Sequence, residues 1–146
     1  RSWDFEVFNQ GFRYHMSNIM ASIGRVQLTR INDFAKRRRF LALNYLESLK
    51  DIKEISFFKL NYYEILPHIF VIKCEQRDSL RKFLLNNKIE VGIHYKPNHL
   101  LKKYKSKKPL KLSEELYEQI LTLPLHYDLT DDEQLFVVKK IREFFT

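Results

Sequence analysis

The chain has 146 residues, 45% hydrophobic and 14% aromatic, which is enough to build a core and too apolar for a disordered segment. Its 26 Lys and Arg against 18 Asp and Glu give a formal net charge of +8, a balance that suits anionic partners. One cysteine rules out an internal disulfide, and no apolar run is long enough to span a bilayer, so a soluble cytoplasmic protein is expected.

The first structural signal is Ser17, a good N-cap ahead of an apolar repeat. Ile19, Ile23, Val26, Ile31, Phe34, Leu41, Tyr45 and Leu49 recur at helical steps, predicting one long amphipathic helix as far as about Lys50. Lys36-Arg37-Arg38-Arg39 falls in the middle of it, where four successive residues spread over all faces. Gly24, beside Ala21 and Ser22, fits either close approach of another backbone or a tolerated solvent position.

Three β-like runs follow at Ile55–Leu60, His68–Cys74 and Ile89–Tyr95. A short helix over Asp78–Asn86 separates the last two, giving a β-α-β unit whose Leu80, Phe83 and Leu84 would cover the sheet. Ser113 is expected to cap another helix, with Glu114 and Glu115 at its positive end. Leu123-Pro124-Leu125 reads as extended. Thr130-Asp131-Asp132-Glu133 is a capping box for a terminal helix with the apolar stripe Leu135, Val138, Ile141 and Phe145. The expected class is α+β in a single domain over 1–146: a long N-terminal helix and a small three-stranded sheet, with helices mainly on one face.

His15, His68, His94, His99 and His126 show no zinc-like spacing, and Cys74 stands alone. No metal ligand is therefore assigned. His68 and His126 read as structural. No nucleophile–base arrangement or glycine-rich phosphate loop is present, so no catalytic residue is assigned. Lys102-Lys103-Tyr104-Lys105-Ser106-Lys107-Lys108 is a basic loop run, but no nucleic-acid reading motif accompanies it. Neither nucleic acid nor membrane is expected as a partner.

Three ordered stretches are more specific. Gly11-Phe12-Arg13-Tyr14-His15-Met16-Ser17-Asn18-Ile19 runs into Met20-Ala21-Ser22-Ile23-Gly24-Arg25-Val26-Gln27-Leu28; later come Val91-Gly92-Ile93-His94-Tyr95-Lys96-Pro97-Asn98-His99-Leu100 and Leu121-Thr122-Leu123-Pro124-Leu125-His126. In wording and order the chain resembles the C-terminal part of the DegT/StrS family of pyridoxal-phosphate-dependent nucleotide-sugar aminotransferases. The resemblance implies the small C-terminal domain of a fold-type-I aminotransferase and a homodimer. It implies transfer of an amino group from an amino-acid donor, glutamate, to a nucleotide-linked keto-sugar in polysaccharide biosynthesis. Arg13 and His15 fall where many members carry Asn and Arg, and are implied to serve the phosphate of pyridoxal phosphate. His94, Tyr95 and Lys96 are implied to receive the nucleotide-sugar. The family's cofactor-binding lysine sits in a Ser-rich segment upstream of the first motif, and only Arg1–Gln10 precede that motif here. Ser56-Phe57-Phe58-Lys59 lies on the wrong side of the motif and reads as structural. The chain alone is thus expected to be inactive. The alternatives are a non-catalytic binding or assembly module from a truncated gene, or a basic nucleic-acid-binding domain.

Overall fold

The computed structural model describes residues 11–146 apart from 13, 106 and 107. The chain divides into two compact units, Arg1–Asn32 and Asp33–Thr146.

In the first unit α1 spans Asn18–Thr29, and Ser17 caps it by accepting the Met20 N–H at 3.2 Å. The single helix expected as far as Lys50 is interrupted at Arg30, whose N–H turns back to the Gln27 carbonyl at 3.1 Å. Neither Pro nor Gly marks the break. The Thr29 hydroxyl donates to the Val26 carbonyl at 2.7 Å, and this kind of back-bonding destabilises and bends the turn that carries it. No residue of α1 is buried, with Ile19 73% and Leu28 68% exposed. A Cβ at Gly24 would meet nothing within 4 Å. Within this chain the solvent-facing reading of Gly24 holds.

Helix resumes as α2 (Ile31–Leu49), which buries Leu41, Tyr45 and Leu49 of the predicted face, together with Ala35 and Ala42, and leaves Ile31 exposed. In the second unit, β1 (Ser56–Phe57), β2 (Phe70–Lys73) and β3 (Ile120–Leu123) form an antiparallel sheet in the order β1-β2-β3. Phe70 lies opposite Leu123 and Ile72 opposite Leu121, so these four share one face. Tyr45 of α2 stacks on Phe70 at 5.1 Å, and Tyr62 closes over the same ring at 5.8 Å. Helices α3 (Arg77–Asn86) and α5 (Asp131–Phe145) complete the core with Leu80, Leu84, Val137, Val138 and Ile141. The architecture is α+β, as expected.

Several boundaries differ from the sequence reading. β1 keeps only two residues of the predicted Ile55–Leu60 run, because buried Tyr62 covers Phe70 where the strand would have continued. The predicted third strand, Ile89–Tyr95, contributes a single bridge, Gly92 to Thr122. The actual third strand is β3, which begins directly where α4 (Lys111–Gln119) ends. Ser113 lies inside α4 and does not cap it. Glu114 instead accepts the Leu110 N–H at 3.0 Å, so the helix starts earlier. The Thr130–Glu133 capping box forms as predicted. The stripe of α5 is rotated: Leu135 is exposed, while Gln134 is buried and donates to the Leu41 carbonyl at 2.7 Å.

The arginines of α2 do not simply face solvent. Arg37 pairs with Asp131 at 2.7 Å and donates to the Leu129 carbonyl. Arg38 donates to the His68 carbonyl at 3.1 Å and Arg39 to the Ile65 carbonyl at 2.7 Å. Arg77, 3% exposed, donates to the carbonyls of Tyr117 at 2.8 Å and Ile120 at 3.3 Å, joining α3 to the α4–β3 junction.

Cys74 follows β2 and is buried, and that burial pushes its thiol up to about 11. At pH 8 the folded chain should therefore react with a thiol reagent roughly 100-fold more slowly than the chain in denaturant, since the thiolate is the reactive form. Equal rates in a stopped-flow labelling assay would show that this end of β2 opens freely.

Candidate functional site

Of the two groups of site residues predicted from sequence, the first lies ahead of α1. Arg13 is outside the described residues. His15 is exposed. His15 lies two residues ahead of the capping Ser17 of α1.

The second group lies in the second unit, where β3 places it. Thr122 is paired on both sides. Val71 is opposite it across the β2 ladder, and on its other side its N–H donates to the Gly92 carbonyl at 2.8 Å while its own carbonyl accepts the Gly92 N–H at 3.1 Å. The Thr122 side chain points away from the helices, because its neighbours Leu121 and Leu123 point toward them. There its hydroxyl meets Nδ1 of His94 at 2.9 Å. The His94 ring packs down on Gly92: a Cβ on that glycine would fall 2.5 Å from His94 Cε1. Gly92 is needed for this close approach. Tyr95 stands edge-on to His94, with ring centroids 4.8 Å apart, and is exposed. His94 and Tyr95 therefore form one assembly on β3.

Lys96 looks into a separate cavity of about 660 Å³, which it lines together with His99, Lys105, Lys108, Glu114 and Tyr117. His99 Nε2 lies 3.0 Å from Glu114 Oε1, the oxygen that also accepts the Leu110 N–H. The Leu110 amide first, and His99 second, hold the Glu114 carboxyl below the usual carboxylate range. Sequence reasoning assigned no site role to His99, Lys105, Lys108, Glu114 or Thr122, and read Glu114 only as an acid at the start of a helix. The available signal was the lysine run, together with a histidine two residues after Pro97.

The chain belongs to the DegT/DnrJ/EryC1/StrS aminotransferase family, which matches residues 2–142. It is 26% identical to the GDP-perosamine synthase of Escherichia coli O157:H7, a match that covers 93% of this chain and 38% of that protein. Among solved structures it resembles S. venezuelae DesV in complex with a ketimine intermediate, with TM-score 0.87, 27% identity and coverage of 94% of this chain and 38% of DesV. It also resembles the PLP-form of Spr1654, a sugar aminotransferase of Streptococcus pneumoniae, with TM-score 0.85, 25% identity and coverage of 97% and 39%. The chain thus spans well under half the length of the relatives it matches.

Two outcomes test the geometry. Gly92→Ala should drive the imidazole off Thr122 and cost roughly 1–3 kcal/mol, the usual range for overpacking. Urea denaturation and the imidazole resonances of His94 should both move, and unchanged values would mean that the ring is not seated on Gly92. Because the Glu114 carboxyl is lowered in the folded state, its contribution is complete above the ordinary carboxylate range and is lost as pH falls through the folded value. The hydrogen-exchange protection factor of the Leu110 amide, measured against its intrinsic rate at each pH, should therefore fall in acid, and Glu114→Gln should flatten that dependence.

Proposed function

We propose that this chain is the C-terminal part of a pyridoxal-phosphate-dependent aminotransferase that moves an amino group from glutamate to a keto group on a nucleotide-linked sugar. The observation that carries this reading is the family match across residues 2–142. The names of the relatives support a sugar substrate, and the PLP-form neighbour supports the cofactor. When bound, the cofactor supplies the electron sink, and the protein supplies binding and orientation. In this reading Arg13 and His15 serve the cofactor phosphate across a homodimer interface. His94 and Tyr95, fixed on β3 through Thr122 and Gly92, form one wall of the sugar-binding mouth, and Lys96 lies beside them. The protein works in the cytoplasm. None of the described helices is long and apolar enough to cross a membrane.

The chain by itself is inactive in this reading, because the lysine that holds the cofactor lies outside it. The bare apolar side chains of α1 support the presence of a larger body in the complete enzyme. Those side chains require cover from a larger body, which the remainder of an aminotransferase would provide.

The test uses the full-length protein that carries this chain, supplied with the cofactor, nitrogen-15 glutamate and a panel of keto-sugar nucleotides. Mass spectrometry should find the label in one sugar product, and its absence from every sugar would defeat the proposal. Arg13→Ala should weaken cofactor retention by about ten- to a hundredfold, the effect of losing one charge-assisted contact. Equilibrium dialysis at fixed phosphate concentration reads this directly, and an unchanged constant would reduce Arg13 to a surface cation.

A further inference from the structure

Thr122 is only 6% exposed, and its backbone N–H and carbonyl are both taken by Gly92. Its hydroxyl has one hydrogen to place. Among the described residues that hydroxyl meets a single hydrogen-bonding partner, Nδ1 of His94 at 2.9 Å. A buried hydroxyl hydrogen without an acceptor carries its full desolvation cost. The network is satisfied when the hydroxyl donates and Nδ1 accepts, and the proton of the neutral ring then sits on Nε2. The opposite tautomer would send the Nδ1 proton to the hydroxyl and strand the hydroxyl's own hydrogen. Turning the ring over would bring a carbon to the place of Nδ1 and strand it again. The seat on Gly92 and the edge-on Tyr95 ring, 4.8 Å away, hold the imidazole where it is. Nε2 has no hydrogen-bond partner among the described residues and is not a buried atom, so it is open to a ligand.

We propose that Thr122 is a positioning residue that fixes His94 as the Nε2–H tautomer, so that the ring offers an uncharged hydrogen-bond donor to an oxygen of the sugar. The inference rests on the nucleotide-sugar reading of the His94–Tyr95 pair. It adds the residue that orients the ring, the nitrogen that meets the ligand and the sense of the hydrogen bond. The pairing selects the class of acceptor. His94 enters no ion pair among the described residues. Its inner nitrogen is held by a hydroxyl, not by a carboxylate that would favour a cationic ring. A single neutral donor suits a hydroxyl or keto oxygen, whereas an anionic group is better met by a cation. A nitrogen that already carries its proton has no lone pair to take another. His94 in this state therefore binds and orients, and takes no proton at Nε2.

The experiment uses the full-length protein with nitrogen-15 histidine, at about pH 8.5, where an ordinary imidazole is neutral. The ring nitrogen shifts report which nitrogen carries the proton, and His94→Gln assigns the resonances. Wild type and Thr122→Ser should show a protonated Nε2 and a bare Nδ1. Thr122→Val, which keeps the shape and loses the hydroxyl, should show a mixture of both tautomers. A protonated Nδ1 in wild type, or an unchanged spectrum in Thr122→Val, would overturn the positioning role and leave the sugar reading intact. Isothermal titration then compares UDP- and GDP-linked hexoses with UDP and GDP. Thr122→Val should weaken the sugar nucleotides by about three- to tenfold, the effect of one neutral hydrogen bond, and should leave the free nucleoside diphosphates unaffected. Thr122→Ser should bind as wild type does. If Thr122→Val holds the sugar nucleotides at wild-type affinity while His94→Gln loses them, the positioning role falls and the sugar reading stands. If wild type holds sugar nucleotides no better than free nucleoside diphosphates, and His94→Gln changes neither, the sugar reading of the loop falls and takes the proposed acceptor with it.

Discussion

Pairing of β3 along both of its edges fixes where the second unit can put its loops. On one edge Ile120–Leu123 takes the β2 ladder, and on the other Thr122 exchanges both backbone hydrogen bonds with Gly92. All four residues of the strand are buried, so its backbone groups have no water to fall back on and must find partners. The Gly92 bridge meets that demand. Because the bridge is a single residue, the chain after it is released at once, and His94 and Tyr95 emerge beside the strand instead of continuing it. A longer fourth strand would have carried them to the end of the sheet. The site is built from this early release, with Thr122 supplying a backbone clamp on one side and a hydroxyl for the imidazole on the other.

The excess of positive charge is divided by residue type. Arg37, Arg38 and Arg39 of α2 and Arg77 of α3 are spent on carbonyls and carboxylates: the first three reach Leu129, His68 and Ile65, and Arg77 reaches Tyr117 and Ile120. A planar fork of donors is suited to this, since one side chain can satisfy several acceptors at fixed angles. Arg77 is nearly fully buried, and removing it would leave two carbonyls short of a donor, a costly loss at low dielectric. The lysines between Glu90 and Glu114 are treated differently. Those among the described residues remain exposed, where an ammonium group keeps its hydration and can move toward a ligand. Structural cations and candidate binding cations are therefore chemically distinct in this chain.

Helices and caps were the most legible part of the sequence, because their signals are local. Ser17 and the Thr130–Glu133 box cap as read, and Leu41, Tyr45 and Leu49 bury at helical spacing. The break at Arg30 was hidden because Thr29, not Pro or Gly, loosens the turn. The strand β3 was missed for another reason: its residues are all buried, so the run has no alternation to reveal it, and no turn residue separates it from α4. On α5 the presence of Gln134 on the buried face defeats a purely apolar count, since its amide is satisfied by Leu41 and Asn44 across the helix pair. At the site, His94, Tyr95 and Lys96 could be named from their motif, but His99 and Glu114 meet only through the fold of the intervening loop, over a separation that no local pattern reports.

The first unit presents the opposite situation to β3. Its helix α1 is well capped, yet Ile19, Met20, Ile23, Val26 and Leu28 all stay exposed. Burying apolar surface contributes roughly 25 cal/mol per Å², and a helix of 12 residues is marginal in water without such burial. The sequence nevertheless provides a capping serine, which stabilises the helix by itself, and a regular apolar repeat, which brings little gain to an uncovered helix. Ala21, Ser22 and Gly24 add small side chains among the larger apolar ones, a composition that allows another element to come close, although a Cβ at Gly24 meets nothing in this chain. The chain also spans only about two fifths of the relatives it matches. In the proposed reading, this helix, patterned for burial but left bare, meets its covering surface in the rest of an aminotransferase.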